Sequence, residues 1–147
     1  KNLEFNINTG GQLSLDDLLN SEQSAITGPD KLSGFTSGSI SGDESWYFRG
    51  QLNYKKKLSN KLTLAPYVYG ATGVSYTLTP TATENRATAA KSLGLGLKMD
   101  GIDNYFFDKN ISAKVEYSKN WATGVLEDVS DVRLNKQHLL VNLAMNF

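Results

Sequence analysis

Apolar and polar side chains alternate with a period of two along six separate segments of this chain. The clearest segment reads LGLGLKM over residues 93–99, with every large apolar side chain at an odd position. Because successive side chains of a β-strand point to opposite faces, this period predicts strands with one apolar face. The six segments centre on residues 3–7, 46–54, 62–76, 93–99, 111–117 and 139–147. The predicted fold is all-β, and the weak helical pattern that begins near Leu13 is interpreted as loop.

The lengths of these segments favour a membrane protein. Most of the predicted strands run for about 9 to 14 residues, whereas strands of globular proteins most often have about 5–6. A strand that crosses a bilayer needs about 9–11 residues. The sequence therefore predicts an antiparallel transmembrane β-barrel.

Composition excludes several other classes. Fifteen basic residues balance fifteen acidic ones, which leaves no electrostatic footprint for nucleic acid. The absence of Cys excludes disulfides and thiolate metal sites, and a single His offers little for a zinc site. No apolar run approaches the roughly 18 residues of a transmembrane helix.

The connections between the predicted strands alternate in length. Residues 15–44, 79–88 and 125–135 form long polar loops, whereas 59–61 is a tight turn and 101–110 a medium connection. Outer-membrane barrels have long external loops and short periplasmic turns. We therefore expect the first three connections outside the cell and the other two in the periplasm.

Two features of the strands point the same way. The last strand presents alternating apolar side chains, as in the C-terminal signal that the barrel assembly machinery reads; these are Val141, Leu143, Met145 and Phe147. Aromatic side chains near strand ends on the apolar face suit the interfacial girdles of a barrel. They are Trp46, Tyr54, Tyr76, Tyr117, Trp121 and Phe147. The alternatives are the final strand of any antiparallel sheet and ordinary core aromatics of a β-sandwich.

Small residues mark the face opposite the apolar one. Gly94 and Gly96 alternate with leucines, and Ala71 and Gly73 continue the face that carries two tyrosines. Small side chains on a barrel's inner face permit close approach of something in the lumen. A locally kinked strand is the alternative.

No constellation of catalytic or metal-binding residues is found. Lysines 55–57 are interpreted as a solvated strand end, and the acidic residues Glu127, Asp128 and Asp131 as a solvated loop without the ligand spacing of a calcium site. His138 has no partners that would suggest a triad. We predict no enzyme activity, no cofactor and no metal.

The segment 28–49 resembles a loop of known transporters. It ends in SGDESWYFR over residues 41–49, and the two-partner secretion transporters, the TpsB branch of the Omp85 superfamily, typically read S-G-D-x-G-W-Y-x-R in their sixth loop. The preceding NSEQ at 20–23 is similar to the S-S-E-Q that leads into the family loop. The strands LAPYVY at 64–69 and SLGLGL at 92–97 are similar to L-x-P-[FY]-V-F and A-S-x-G-x-G-L of the family.

Two departures from the family pattern coincide. Ser33 stands where the family has the Arg of its V-R-G-[FY] loop tip, and Ala71 stands where an Asp pairs with that Arg inside the lumen. Losing one partner of an enclosed ion pair costs about 3–5 kcal/mol, whereas losing both is often neutral. We expect the loop to fold into the lumen, held by Gly34, Phe35 and backbone hydrogen bonds rather than by charge.

The resemblance implies an architecture and a set of residues. Residues 1–147 would be the C-terminal part of a 16-stranded barrel, comprising its last six strands, with 15–44 a long loop that folds into the lumen. Six strands enclose no channel, so we expect a fragment or an association with further chains. The lumen loop motif comprises Ser33, Gly34, Phe35, Gly42, Asp43 and Trp46. The wall contact comprises Tyr69, Ala71 and Gly73.

The resemblance also implies a function. The protein would be a pore in the outer membrane of a Gram-negative bacterium that exports a large exoprotein, an adhesin or a cytolysin, without ATP. Its partners would be that exoprotein, outer-membrane lipid, the barrel assembly machinery and the missing strands. The alternatives are a complete small outer-membrane barrel with an adhesin or structural role, a barrel insertase of the same superfamily, and a soluble β-sandwich that binds ligands.

Overall fold

A computed structural model of the chain describes residues 2–19, 21–58, 62–80, 86–103, 110–125 and 132–145. Within these ranges the chain forms nine strands and no helix, which confirms the all-β prediction. None of the described residues belongs to a helix of the length and apolarity needed to span a membrane. The strands are β1 (Leu3–Gln12), β2 (Ser24–Ala25), β3 (Ser41–Gly42), β4 (Glu44–Tyr54), β5 (Lys56–Lys57), β6 (Thr63–Tyr76), β7 (Ala87–Asp103), β8 (Asn110–Val125) and β9 (Val132–Met145).

Six long strands make one antiparallel sheet. Their order in space, β1-β4-β6-β7-β8-β9, follows their order in the chain, as hairpin connections dictate. The short strand β5, between β4 and β6 in the chain, pairs with the beginning of β6. Strand β2 pairs with β3 inside the loop between β1 and β4. This meander contains the six predicted strands.

Two strands are longer than predicted. The β7–β8 ladder continues as far as Asp103 and Asn110, beyond the predicted end at 101, with a shift of register at Gly101. Gly101 has a φ of 82°, which only glycine adopts readily. The β8–β9 ladder reaches back to Val132. The sequence pattern missed this part of β9 because its apolar residues, Val132 and Leu134, are at even positions, whereas those of 139–143 alternate at odd positions.

The two faces of the sheet reverse the usual distribution of polarity. One face exposes large apolar side chains with exposed fractions up to 70%, among them Leu3, Phe5, Ile7, Val68, Leu93, Leu95, Leu139, Val141 and Leu143. The other face buries polar side chains, among them Arg49, Gln51, Asn53, Ser92, Glu116, Ser118 and Asn120. A water-soluble protein buries its leucines and exposes its arginines. The observed reversal is that of a sheet whose outer face meets lipid.

The loop that joins β1 to β4 (residues 13–43) contacts the polar face through Ile26 and the segment 32–35. Ile26 and Leu32 are completely buried, and they pack against the tyrosines of β6 and a group of alanines. That cluster contains Tyr67, Tyr69, Ala71, Ala90 and Ala122, with Phe35, Ile40 and Tyr47 at its margin. The loop is therefore folded onto the sheet by a small apolar core within an otherwise polar contact.

Candidate functional site

Ser33 joins the loop to a buried charge pair on the sheet. Its hydroxyl accepts a hydrogen bond of 2.6 Å from Arg49 Nη1 on β4 and donates one to Glu116 Oε1 on β8. Arg49 Nη2 lies 3.5 Å from Glu116 Oε2, and each of the two side chains is at most 4% exposed. The loop tip thus fits between a cation and an anion that belong to two different strands.

Two tyrosines of β6 hold this charge pair in place. The Tyr67 hydroxyl donates a 2.6 Å hydrogen bond to Glu116 Oε2, and the Arg49 guanidinium stacks 3.7 Å from the centroid of the Tyr69 ring. Both rings lie over glycines of β7, since a Cβ at Gly94 would come within 2.5 Å of Tyr69 and one at Gly96 within 2.4 Å of Tyr67. The glycines thus give space to the tyrosine rings, and the rings in turn fix Arg49 and Glu116.

Glu116 and Arg49 have further partners that satisfy the buried charges. Lys114 Nζ lies 3.1 Å from Glu116 Oε2, and Arg49 Nη1 also donates to the Lys31 carbonyl oxygen of the loop at 3.0 Å. Along β4, Arg49 donates to Gln51 and Gln51 to Asn53, at 2.8 and 2.6 Å. A buried ion pair requires such additional hydrogen bonds, because its desolvation otherwise exceeds the Coulombic gain.

A second anchor lies next to Ser33. Asn120 Nδ2 donates a 2.8 Å hydrogen bond to the Gly34 carbonyl oxygen, while its Oδ1 accepts from Ser92, which in turn contacts the Tyr69 hydroxyl at 3.1 Å. A Cβ at Gly34 would lie 1.8 Å from Asn120 Oδ1. Only glycine allows the loop backbone to approach β8 this closely.

Asp43 fastens the base of the loop. Its Oδ1 accepts hydrogen bonds from the Leu18 backbone N–H and the Gln23 side chain, and its Oδ2 accepts one of 2.8 Å from the Leu78 N–H. The side chain is buried, and these donors, the Leu78 N–H first, hold the pKa of Asp43 below its ordinary value. Asp43 thereby joins the beginning of the loop to the connection that follows β6.

The structure brings most of the predicted loop and wall residues into one region. Phe35 packs at the margin of the cluster that contains Ala71, and a Cβ at Gly73 would lie 3.1 Å from Ile26 of the loop. A Cβ at Gly42 would meet Ser75 Oγ and the Tyr76 carbonyl oxygen, both at 2.4 Å. The glycines of the predicted motif therefore occupy places of close backbone contact.

Three expectations have different outcomes. The structure does not bring Trp46 to the site, because its side chain belongs to the apolar outer face and is 48% exposed. The expectation that the loop is held without charge is wrong, because Arg49 and Glu116 both bond to Ser33. In the predicted C-terminal signal, Val141 and Leu143 are exposed on the outer face, whereas the Met145 side chain and Phe147 lie outside the described residues.

Sequence reasoning missed the partners that β8 provides. Arg49 lies in the motif SGDESWYFR, but the motif by itself assigns it no role, and the sequence does not distinguish Glu116 or Asn120 from the other polar residues of β8. A signal was present: Glu116 falls on the polar face of β8, between the outward Val115 and Tyr117. The pairing of Ser33 with a residue 83 positions away could not be read from that signal.

Within the described ranges, no three acidic or histidine side chains lie close enough to hold a metal ion. The predicted acidic loop with Glu127, Asp128 and Asp131 lies outside the described residues.

Fold and site together define a class of protein. An antiparallel meander with a lipid-type outer face, a polar inner face and a loop docked on that inner face is the wall of a transmembrane β-barrel. The family model described as haemolysin secretion/activation protein ShlB/FhaC/HecB matches residues 1–99, two thirds of the chain. The chain belongs to this family of outer-membrane, two-partner secretion transporters of Gram-negative bacteria.

The family match covers one part of the site and not the other. It includes the loop, Arg49 and the β6 tyrosines, whereas Glu116 and Asn120 lie beyond its end. No curated protein and no solved structure matches the sequence. The family match therefore covers the loop and the β4 and β6 side of the contact, and ends before the β8 side.

Proposed function

We propose that the protein exports one large exoprotein, of the adhesin or cytolysin class, through a pore whose lumen is lined by the polar face of the sheet. In this proposal the loop of residues 13–43 lies in the lumen and blocks passage until it moves. The main observation that supports this proposal is the position of Ser33 between Arg49 and Glu116. Membership of the family supports the transport role, and the docked loop supports the gate.

The chemistry of the contact suits a part that must be released. Its hydrogen-bonding groups are side chains and carbonyl oxygens that can exchange their partners for water or a passing polypeptide. Each bond to Arg49 or Glu116 contributes about 1.5–3 kcal/mol, and the neutral bond from Asn120 to Gly34 about 0.5–1.5 kcal/mol. Among the loop residues that the structure describes, Ile26 and Leu32 are the large aliphatic side chains that are completely buried. The loop is held by several separate contacts, and an entering polypeptide can replace them one after another.

The charge pair stays on the wall when the loop leaves. Arg49 and Glu116 contact each other as well as Ser33, so withdrawal of the loop leaves neither charge alone. Tyr67 and Lys114 continue to bond Glu116. The wall is therefore a preformed socket, and opening requires no rearrangement of the sheet.

We further propose that folding of the exoprotein outside the cell drives export, with no covalent chemistry at this site. The exposed apolar side chains of β9, Val141 and Leu143, fit recognition by the barrel assembly machinery during insertion. Outer-membrane lipid then covers the same face.

Gly34→Ala tests the gate. The added methyl group cannot coexist with Asn120 at its present position, so we expect the loop to leave the polar face. In the complete secretion protein reconstituted in a planar lipid bilayer, the open-channel fraction should rise severalfold. Gly50→Ala is the matched control, because its Cβ would meet only side-chain atoms at 3.7 Å or more. Equal conductance of the two variants would contradict the gate, even if secretion itself persisted.

A further inference from the structure

Two lysines interrupt the apolar outer face of β7 and β8 at one height. Lys91 and Lys119 are both exposed, and they share this face with Leu93, Leu95 and Tyr117. Lys91 stands directly opposite Trp121 in the ladder, and Lys119 stands opposite Leu93, one step nearer the middle of the face. Side chains in such diagonal positions are about 7–8 Å apart at Cβ, within the reach of two lysines.

Trp121 pairs with Lys91 in the ladder, and its ring contacts the ammonium group of Lys119. Lys119 Nζ lies 5.5 Å from the centroid of the Trp121 ring, a distance at which a cation is attracted to the ring face. The ring is 37% exposed and so contacts the surroundings of the sheet. Trp and Lys together are the side chains that mark the level of the lipid headgroups in membrane proteins.

The described part of the chain provides no anion for either lysine. Among the side chains that the structure describes, no carboxylate forms an ion pair with either of them. A free ammonium group against hydrocarbon is costly, and it is tolerated where water or an anionic headgroup meets it. Gln137 of β9, exposed opposite Lys119, adds a neutral donor to the same patch.

The position along the strands selects one leaflet. Lys91 and Trp121 lie close to the Ala87–Val125 end of the β7–β8 ladder, from which the predicted external loops 79–88 and 125–135 depart. The patch therefore belongs to the level of the outer leaflet. In a Gram-negative outer membrane the lipid of that leaflet is lipopolysaccharide, whose lipid A part carries phosphate groups.

We propose that Lys91, Lys119 and Trp121 form a binding site for a lipid A phosphate on the outer wall of the barrel. The two ammonium groups bind the phosphate oxygens, and the acyl chains lie along Leu93 and Leu95. This lipid site is independent of the loop contact on the opposite face of the sheet. It would orient the barrel in the membrane and fix its depth.

The test compares two double variants of the complete secretion protein. Lys91→Gln/Lys119→Gln removes the site, and Lys56→Gln/Lys57→Gln removes two exposed lysines at the opposite end of the sheet. Each protein is purified in detergent, mixed with lipopolysaccharide, and the bound amount is measured by native mass spectrometry. A lysine at an anionic membrane surface contributes about fivefold to binding, so the first variant should bind about 25-fold more weakly and the second like the wild type.

Three further measurements decide the outcome. Lys91→Arg/Lys119→Arg should restore binding, and enzymatic removal of the lipid A phosphates should abolish it in the wild type. Phosphatidylglycerol, which carries a single phosphodiester charge, should lose less binding on Lys91→Gln/Lys119→Gln than lipopolysaccharide does, and an equal loss for both lipids would contradict a site for lipid A. Equal lipopolysaccharide binding by the two glutamine variants would overturn the proposal, as would undiminished binding of the dephosphorylated lipid.

Discussion

Arg49 and Glu116 stand on strands separated by two others, and yet their side chains approach to 3.5 Å across the polar face. The Ser33 hydroxyl of the docked loop bonds to both. The chain has Ser33 and Ala71 at the two positions where the resemblance to the family pattern implies an Arg–Asp pair, and in this structure Ser33 bonds to a charge pair on the wall. The first three predictions concern this relationship and the tyrosines that support it.

Glu116→Gln should destabilise the barrel strongly. The substitution leaves the Arg49 guanidinium buried without a carboxylate, which costs about 3–5 kcal/mol. The matched control is Glu4→Gln, which removes the carboxylate of an exposed ion pair with Lys55. Urea unfolding of the complete protein in lipid vesicles measures both, and similar midpoints for the two variants would contradict the role of Glu116.

Ser33→Arg should be harmful alone and tolerated together with Ala71→Asp. In Ser33→Arg alone, the new guanidinium would lie beside Arg49, and both cations would share the carboxylate of Glu116. Ala71 is directly opposite Arg49 in the β4–β6 ladder, so the carboxylate of Ala71→Asp supplies a second anion for the two cations. The two substitutions should therefore show a favourable coupling free energy of about 1–3 kcal/mol in a double-mutant cycle.

The control for this cycle is Ser37→Arg, which puts the same side chain at an exposed place of the loop. It should have no coupling with Ala71→Asp. Additive effects of Ser33→Arg and Ala71→Asp would show that position 71 does not reach the loop tip.

Gly94→Ala should weaken the platform beneath Arg49. Its Cβ would lie 2.5 Å from the Tyr69 ring and 2.8 Å from the Tyr117 carbonyl oxygen, so the ring must move away from the guanidinium. Overpacking of this kind costs about 1–3 kcal/mol. Gly70→Ala, whose Cβ would meet only Leu93 at 3.9 Å, should be nearly neutral. The comparison is made by urea unfolding, and equal loss in both variants would refute the space argument.

Asp43 should make the loop sensitive to acid. Hydrogen bonds from the Leu78 N–H and other donors lower the pKa of Asp43 in the folded protein. The stabilisation is therefore complete above the ordinary Asp pKa of about 4 and is lost as the pH falls through the lower folded value. Limited proteolysis of the loop between pH 7 and pH 3 measures the loss.

Asp43→Asn provides the reference for that measurement. An amide offers one acceptor where the carboxylate offers two, so the loop should be cut faster at pH 7. Other carboxylates titrate alike in both proteins, and the difference between them should shrink toward low pH. A difference that stayed constant from pH 7 to pH 3 would exclude titration of Asp43 as the cause.

The sequence alone determined the strands and their faces. Alternation is a local property, because each side chain points away from its neighbours whatever the rest of the chain does. It therefore gave the six long strands, the exposed leucines of β7 and the polar face that contains Ser92. The family motif further marked the loop, with Gly34 and Asp43 in it, as the functional part.

Only the tertiary structure decided which side chains meet. The register of four strands brings Arg49 to Glu116, and the fold of the loop places Ser33 between them, across 83 positions of sequence. Such contacts depend on the register of every strand pair between β4 and β8, and on the space that Gly94 and Gly96 leave for two tyrosine rings. A local pattern contains neither kind of information, and for that reason the departures at Ser33 and Ala71 were visible in the sequence whereas the contact between Arg49 and Glu116 was not.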